Sequence, residues 1–108
     1  MNLKFIEMPA FQKAWRDMGL NDDDLLELEV KLIISPNLGK VIKGSDGARK
    51  VRFEAYGKGK RGGARIIYVY IVGEEIIYFI YAYPKSVKDT LTAQEIISIK
   101  KLVVELKR

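Results

Sequence analysis

The strongest constraint on the fold lies between residues 49 and 83, where the hydropathy period becomes two. Val51 and Phe53 alternate with Lys50 and Arg52, so one face of such a strand enters a core while the other shows two cations. Residues 64–72 and 76–83 are rich in β-branched and aromatic side chains and flank Gly73-Glu74-Glu75, a hairpin connection. Both faces of these two segments are apolar or aromatic, which predicts central strands covered on both sides. Residues 57–63, with four glycines in seven, read as the loop before them.

Helical patterns lie on either side of this block. Leu3-Lys4-Phe5-Ile6 reads as a short first strand, and Pro9 suits a first helical turn, where a missing N–H has no intrahelical partner. Phe11, Ala14, Trp15 and Met18 form one apolar stripe, closed by Gly19. Asn21 can cap a second helix whose opening acids, Asp22 to Asp24, complement the helix dipole. Leu25, Leu28, Leu32 and Ile33 are its expected buried stripe, and Ser35-Pro36 ends it. Residues 36–48 read as a connecting loop. Thr92 and Glu95 form the capping box of a last helix with Ile96, Ile99, Val103 and Leu106 on one stripe. Separate runs of helices and strands predict an α+β fold, a small antiparallel sheet with an N-terminal helix pair and a C-terminal helix. At 108 residues, one domain over 1–108 is expected.

Composition narrows the chemistry. The chain has no cysteine and no histidine, which excludes disulfides, a thiolate nucleophile, a Ser-His-Asp triad and His- or Cys-ligated metal. Its apolar runs are far shorter than the roughly 18 residues of a membrane span, and the opening residues do not form a signal peptide. The cytoplasm is the expected location. Charge is segregated: residues 1–39 are acidic, whereas residues 40–65 carry nine bases against two acids. A basic quarter of this kind attracts polyanions, although a charge run can also be no more than a solvated face.

Within that segment Lys50, Arg52 and Arg65, with Lys85 after the last strand, are the candidate catalytic residues. If the strands pair across the glycine loop, Lys50, Arg52 and Arg65 share one side of the sheet, around a single phosphate. Spacing alone leaves open that they are separate solvated charges; in either case Lys50 and Arg65 are expected to face solvent, so that replacing either by alanine should leave the fold intact. RNA cleavage suits such a set, because RNA brings its own nucleophile, the 2′-hydroxyl. The protein then has only to align that hydroxyl, stabilise the phosphorane and move protons, and no metal or other cofactor is expected. Lys58, Lys60, Arg61, Tyr83 and Lys88 are the expected RNA or ribosome contacts, with aromatic rings beside cations as single-stranded RNA binding uses them. Tyr56 and Tyr83, near strand ends, suit substrate contact. Tyr68, Tyr70, Tyr78 and Tyr81 suit the core.

Three stretches carry a resemblance. They are Gly44-Ser45-Asp46-Gly47-Ala48-Arg49-Lys50-Val51-Arg52-Phe53, then Gly57-Lys58-Gly59-Lys60-Arg61-Gly62-Gly63-Ala64-Arg65, and then Tyr83-Pro84-Lys85 with Asp89-Thr90-Leu91-Thr92. With them the chain resembles the RelE/HigB-type toxins of bacterial toxin–antitoxin systems, above all the HigB-like branch with phage-derived relatives. The resemblance implies two helices on one side of a small sheet and a C-terminal helix. It also implies a ribosome-dependent mRNA interferase held inactive by a cognate antitoxin. Carried over by position, Lys50 and Arg52 match basic residues of the catalytic strand, Arg65 the arginine that stabilises the scissile phosphate, and Lys85 a basic position after the last strand. RelE-type relatives place a tyrosine near the C-terminus where this chain has none, leaving Lys50 and Lys85 as candidates for moving protons. Two other readings remain open: a gyrase-inhibiting toxin of the same fold, and a non-catalytic RNA- or ribosome-binding domain.

Overall fold

A computed structural model describes residues 2–56 and 63–108. Its elements are β1 (Lys4–Glu7), α1 (Pro9–Asp17), α2 (Asp22–Ile34), β2 (Lys40–Val41), β3 (Arg49–Phe53), β4 (Ala64–Ile71), β5 (Ile76–Pro84) and α3 (Ala93–Leu106). One five-stranded sheet runs β1-β5-β4-β3-β2. The α+β class is as expected, with two refinements. β1 pairs with β5 in parallel, so the sheet is mixed. Residues 36–48, read as a loop, contain β2, which pairs antiparallel with β3 through Lys40↔Lys50 and Val41↔Arg49.

The helices begin where local chemistry dictates. Pro9 opens α1. Asn21 and Asp24 exchange hydrogen bonds of 2.9 Å with each other's backbone N–H groups, so two of the orphan donors at the start of α2 are satisfied. Thr92 and Glu95 do the same for α3. The indole N–H of Trp15 donates to the Asn21 carbonyl at 3.0 Å, tying α1 to the turn before α2.

Two cores result, one on each face of the sheet. On one, Phe11 and Trp15 of α1 and Leu25, Leu28 and Leu32 of α2 pack on Val51, Phe53, Ile66, Tyr68, Ile77 and Phe79. Aromatic rings run through it in stacked contact: Phe5–Phe79 at 5.6 Å, Phe79–Phe11 at 4.8 Å, Phe11–Trp15 at 5.3 Å and Trp15–Phe53 at 5.7 Å. On the other face, Ile99 and Val103 of α3 cover Ile67, Val69, Ile80 and Tyr83. The central position of β4 and β5 follows from this double cover. Ile33 departs from expectation: it is 43% exposed and lies with Leu26, Val30 and Ile34 on a second, outward stripe of α2.

A bulge sets the faces of β5. Ile67 pairs with Tyr81 but Tyr68 pairs with Phe79, so Ile80 is an extra residue. The insertion reverses the alternation, and Tyr81 and Tyr83 therefore join the α3 face.

Tyr68 fills the first core, as its position suggests, and also anchors the edge strand. Its hydroxyl accepts from Gly39 N–H at 3.0 Å and donates to the Pro36 carbonyl at 2.7 Å. Gly39 has to be small, because a Cβ there would lie 2.9 Å from the Tyr68 ring and 3.0 Å from the Lys50 carbonyl. Tyr68→Phe keeps the ring but leaves both backbone groups without this partner, and is expected to cost about 1–3 kcal/mol. Urea unfolding of the two chains measures it directly.

Candidate functional site

Strand register brings the basic residues together. Arg52 pairs with Arg65 across β3–β4, and Arg65 pairs with Tyr83 across β4–β5. These three residues therefore form one row across the sheet. The adjacent row is Lys50, Ile67 and Tyr81. Because Val51 and Phe53 enter the α1–α2 core, Lys50 and Arg52 stand on the α3 face, the face of Ile67 and Tyr83. Lys50, Arg52 and Arg65 thus share one side, as the alternation implied.

Exposure divides them. Arg52 is exposed and Lys50 half-buried, whereas Arg65 is only 3% exposed. The expectation that Arg65 faces solvent is therefore corrected. Its flanks explain the burial: Arg52 on one side, Tyr83 on the other, and Asp89 arriving from the loop after β5. The Arg65 guanidinium lies 3.8 Å from the Asp89 carboxylate and donates to the Ala64 carbonyl at 3.4 Å. A buried guanidinium retains its charge and is held by such acceptors.

Lys85 is exposed just beyond β5, and its backbone N–H donates to the Gly63 carbonyl at 3.1 Å. That bond fastens the loop after β5 to the start of β4, on the Arg65 side of the sheet end. Lys88 is half-buried, with its ammonium 5.0 Å from the Tyr83 ring centroid and 5.7 Å from that of Tyr81, and paired with the Glu95 carboxylate. The Tyr83 ring, read as a substrate contact, is 2% exposed and has no free face for a base. Its hydroxyl is buried without a hydrogen-bond partner among the described residues, and burial pushes its pKa up. Tyr56, by contrast, is 91% exposed. Lys58, Lys60 and Arg61 lie outside the described residues.

Asp89 and Glu95 are the site residues that a search for cations overlooks. Both lie beside basic residues, and only the capping box at Thr92 gave a signal, for Glu95. The Glu95 carboxyl is held below its ordinary 4.5, first by the Lys88 hydrogen bond and then by the Thr92 backbone. It binds fewer protons folded than unfolded. The stabilisation is therefore complete above pH 4.5 and is lost as acid titrates the folded group. Glu7 and Glu29, raised chiefly by burial, act in the opposite sense. Glu95→Gln is expected to flatten the acid limb of stability below about pH 4.5, as read from urea midpoints across that range.

The profile of the RelE toxin of the RelE / RelB toxin–antitoxin system matches residues 4–108. The chain belongs to the RelE toxin family. Solved structures of Escherichia coli RelE have the same fold. An arginine double mutant of RelE in the free state aligns with a TM-score of 0.60 at 17% identity, over 96% of this chain and 99% of that one. RelE in the intact RelBE toxin–antitoxin complex aligns with 0.55 at 18% identity, over 77% and 96%. The double mutant in complex with a RelB peptide gives 0.53 at 20% identity, over 91% and 93%. In this RelE family member the strand carrying Lys50 and Arg52 is next to the strand carrying Arg65. No helix among the described residues is long and apolar enough to cross a membrane.

Proposed function

We propose that the chain is the toxin of a type II toxin–antitoxin system and a ribosome-dependent endoribonuclease acting on translated mRNA. The observation that carries this reading is the pairing of Arg52 with Arg65 beside Lys50 on one face of the sheet. Two guanidinium groups side by side can each hold two phosphate oxygens and stabilise the extra charge of a phosphorane without titrating. Attack by the substrate's 2′-hydroxyl needs no protein nucleophile, which suits a chain without cysteine or histidine. Lys50 beside the arginines and Lys85 at the strand end are the groups assigned to proton movement. Asp89 is on the Arg65 guanidinium at 3.8 Å, where a phosphodiester would have to compete with it. A site this dependent on alignment works best on RNA bent by another body, which supports a ribosome-bound message over free RNA.

The partner follows from family membership and from α2. The outward stripe of Leu26, Val30, Ile33 and Ile34, with Ile34 79% exposed, is a place for an amphipathic antitoxin segment. The cytoplasm, where translated messages are, is the corresponding location. Induced expression of the chain alone is expected to arrest growth and shorten translated messages. Co-expression of the adjacent reading frame is expected to restore both. Normal growth at high toxin level would contradict the proposal, and stabilised gyrase–DNA cleavage complexes would point to the gyrase reading instead.

A further inference from the structure

Arg65 carries its charge under cover: the side chain is 4% exposed, too little for a phosphate to reach the guanidinium. The acid beside it, Asp89, belongs to the loop between β5 and α3 and has a side chain 68% exposed. We propose that this loop is a latch over the arginine site, a step that rests on the nuclease reading above. The Asp89 carboxylate stands where a phosphodiester will bind, and the pairing of Lys88 with Glu95 keeps it there until RNA displaces both.

Neighbouring residues of opposite charge tie the loop to two different elements. Lys88 pairs with Glu95 in the first turn of α3, and Asp89 pairs with Arg65 on β4. Beyond the root, where the Lys85 N–H bonds to the Gly63 carbonyl, little else holds it. Of residues 86–92 only Lys88 and Leu91 are half-buried, and the others are exposed. A segment with so few buried contacts opens far more readily than the whole domain unfolds.

The two pairs are unequal. An ion pair as exposed as Asp89–Arg65 is on its acidic side contributes little. The side chains of Lys88 and Glu95 are only 27% and 31% exposed, so water and salt screen them less. Lys88–Glu95 is therefore the catch, and Asp89 the plug that it holds. Closure also leaves a polar group unsatisfied. The Lys88 ammonium lies 5.0 Å from the Tyr83 ring centroid, over a tyrosine whose hydroxyl is buried with no hydrogen-bond partner among the described residues. Such a group opposes the closed form, and lifting Lys88 lets water or a phosphate oxygen reach it.

RNA is suited to the exchange. A guanidinium fork accepts a phosphate in place of a carboxylate. Successive phosphates of one strand can replace Asp89 at Arg65 and Glu95 at Lys88 together, so a polyanion opens what a lone anion opens poorly.

Hydrogen exchange at the Arg65 Nε–H, followed by NMR on the intact chain, reads the latch without RNA. Glu95→Gln, which keeps a capping oxygen for Thr92, and Lys88→Met are each expected to speed this exchange about tenfold. One variant removes a negative charge and the other a positive one, so net charge cannot produce the same acceleration in both. Glu105→Gln, near the other end of α3, is expected to leave it unchanged. Asp89→Asn is expected to bind inorganic phosphate about fivefold more tightly and to cleave ribosome-bound messages at least as fast as the unaltered chain. If circular dichroism shows one catch variant unfolded, the other carries the exchange test. Exchange that stays slow in a folded catch variant overturns the latch. So does phosphate binding that is unchanged or weaker in Asp89→Asn, or cleavage lost there, which would make Asp89 a positioning residue for Arg65. Failure of the nuclease reading is separate: messages then stay intact with the unaltered chain, while exchange and phosphate binding still report the latch.

Discussion

Arg65→Lys is expected to lower ribosome-dependent message cleavage by about two to three orders of magnitude, the usual effect of removing one preorganised donor from a developing oxyanion. Lysine keeps the charge near Asp89 but loses the planar fork that meets two phosphate oxygens, so the change separates charge from geometry. Arg65 is 3% exposed, lies between Arg52 and Tyr83, and is held at Asp89. Its orientation is therefore set before substrate arrives. Arg65→Ala would lose activity too, but it also leaves a cavity and a carboxylate without its cation, so its loss mixes catalysis with stability. Arg52 is exposed and freer, and Arg52→Lys is expected to cost less, about tenfold. Single-turnover cleavage on programmed ribosomes, with circular dichroism to confirm folding, measures all three. Arg65→Lys activity within about threefold of the parent would remove the guanidinium from the mechanism.

Gly63→Ala should be the most damaging small substitution, costing on the order of 3 kcal/mol from left-handed strain and overpacking together. Gly63 has φ of +64°, and a Cβ there would meet the Phe53 carbonyl oxygen at 2.4 Å and Glu54 Cγ at 2.5 Å. The carbonyl belongs to the β3 backbone and has no room to retreat. Such a loss is a large share of the roughly 5–15 kcal/mol that holds a domain together. It corresponds to a fall in melting temperature of roughly 10–20 °C. It should also disturb the site, since the Gly63 carbonyl accepts from Lys85 N–H and the next two residues lead to Arg65. Gly73→Ala is the control: Gly73 lies in the turn between β4 and β5, and nothing lies within 4 Å of a Cβ there. Similar melting temperatures for the two variants would mean that the approach of β4 to β3 is looser than described.

What could be read from the residues follows the physics of each signal. Pro9, Asn21 and the Thr92–Glu95 box start helices through short-range chemistry, and all three do so here. The face shared by Lys50 and Arg52 was legible because a strand alternates strictly. Other features depend on partners distant in sequence. β2 is two residues long and pairs through backbone alone, so no side-chain pattern announces it. The parallel direction of β1 is invisible to hydropathy. α2 carries apolar residues at 25, 26, 28, 30, 32, 33 and 34, enough for two stripes, and periodicity could not tell which one is outward. The bulge at Ile80 shifts Tyr81 and Tyr83 by one position, which the continuous apolar run of β5 conceals. Arg65 looked solvent-facing because Asp89 and Tyr83, which enclose it, come from another strand and its loop.

The central claim is that Lys50, Arg52 and Arg65 act together on one phosphodiester of a message held by the ribosome. Primer-extension mapping of 5′ ends, on a defined message translated with the purified chain, tests it most directly. The account predicts breaks within the codon at the ribosomal A site, dependent on ribosomes and lost in Arg65→Lys. Uncut messages in the presence of folded, ribosome-bound protein would contradict it, as would cutting that Arg65→Lys leaves unchanged.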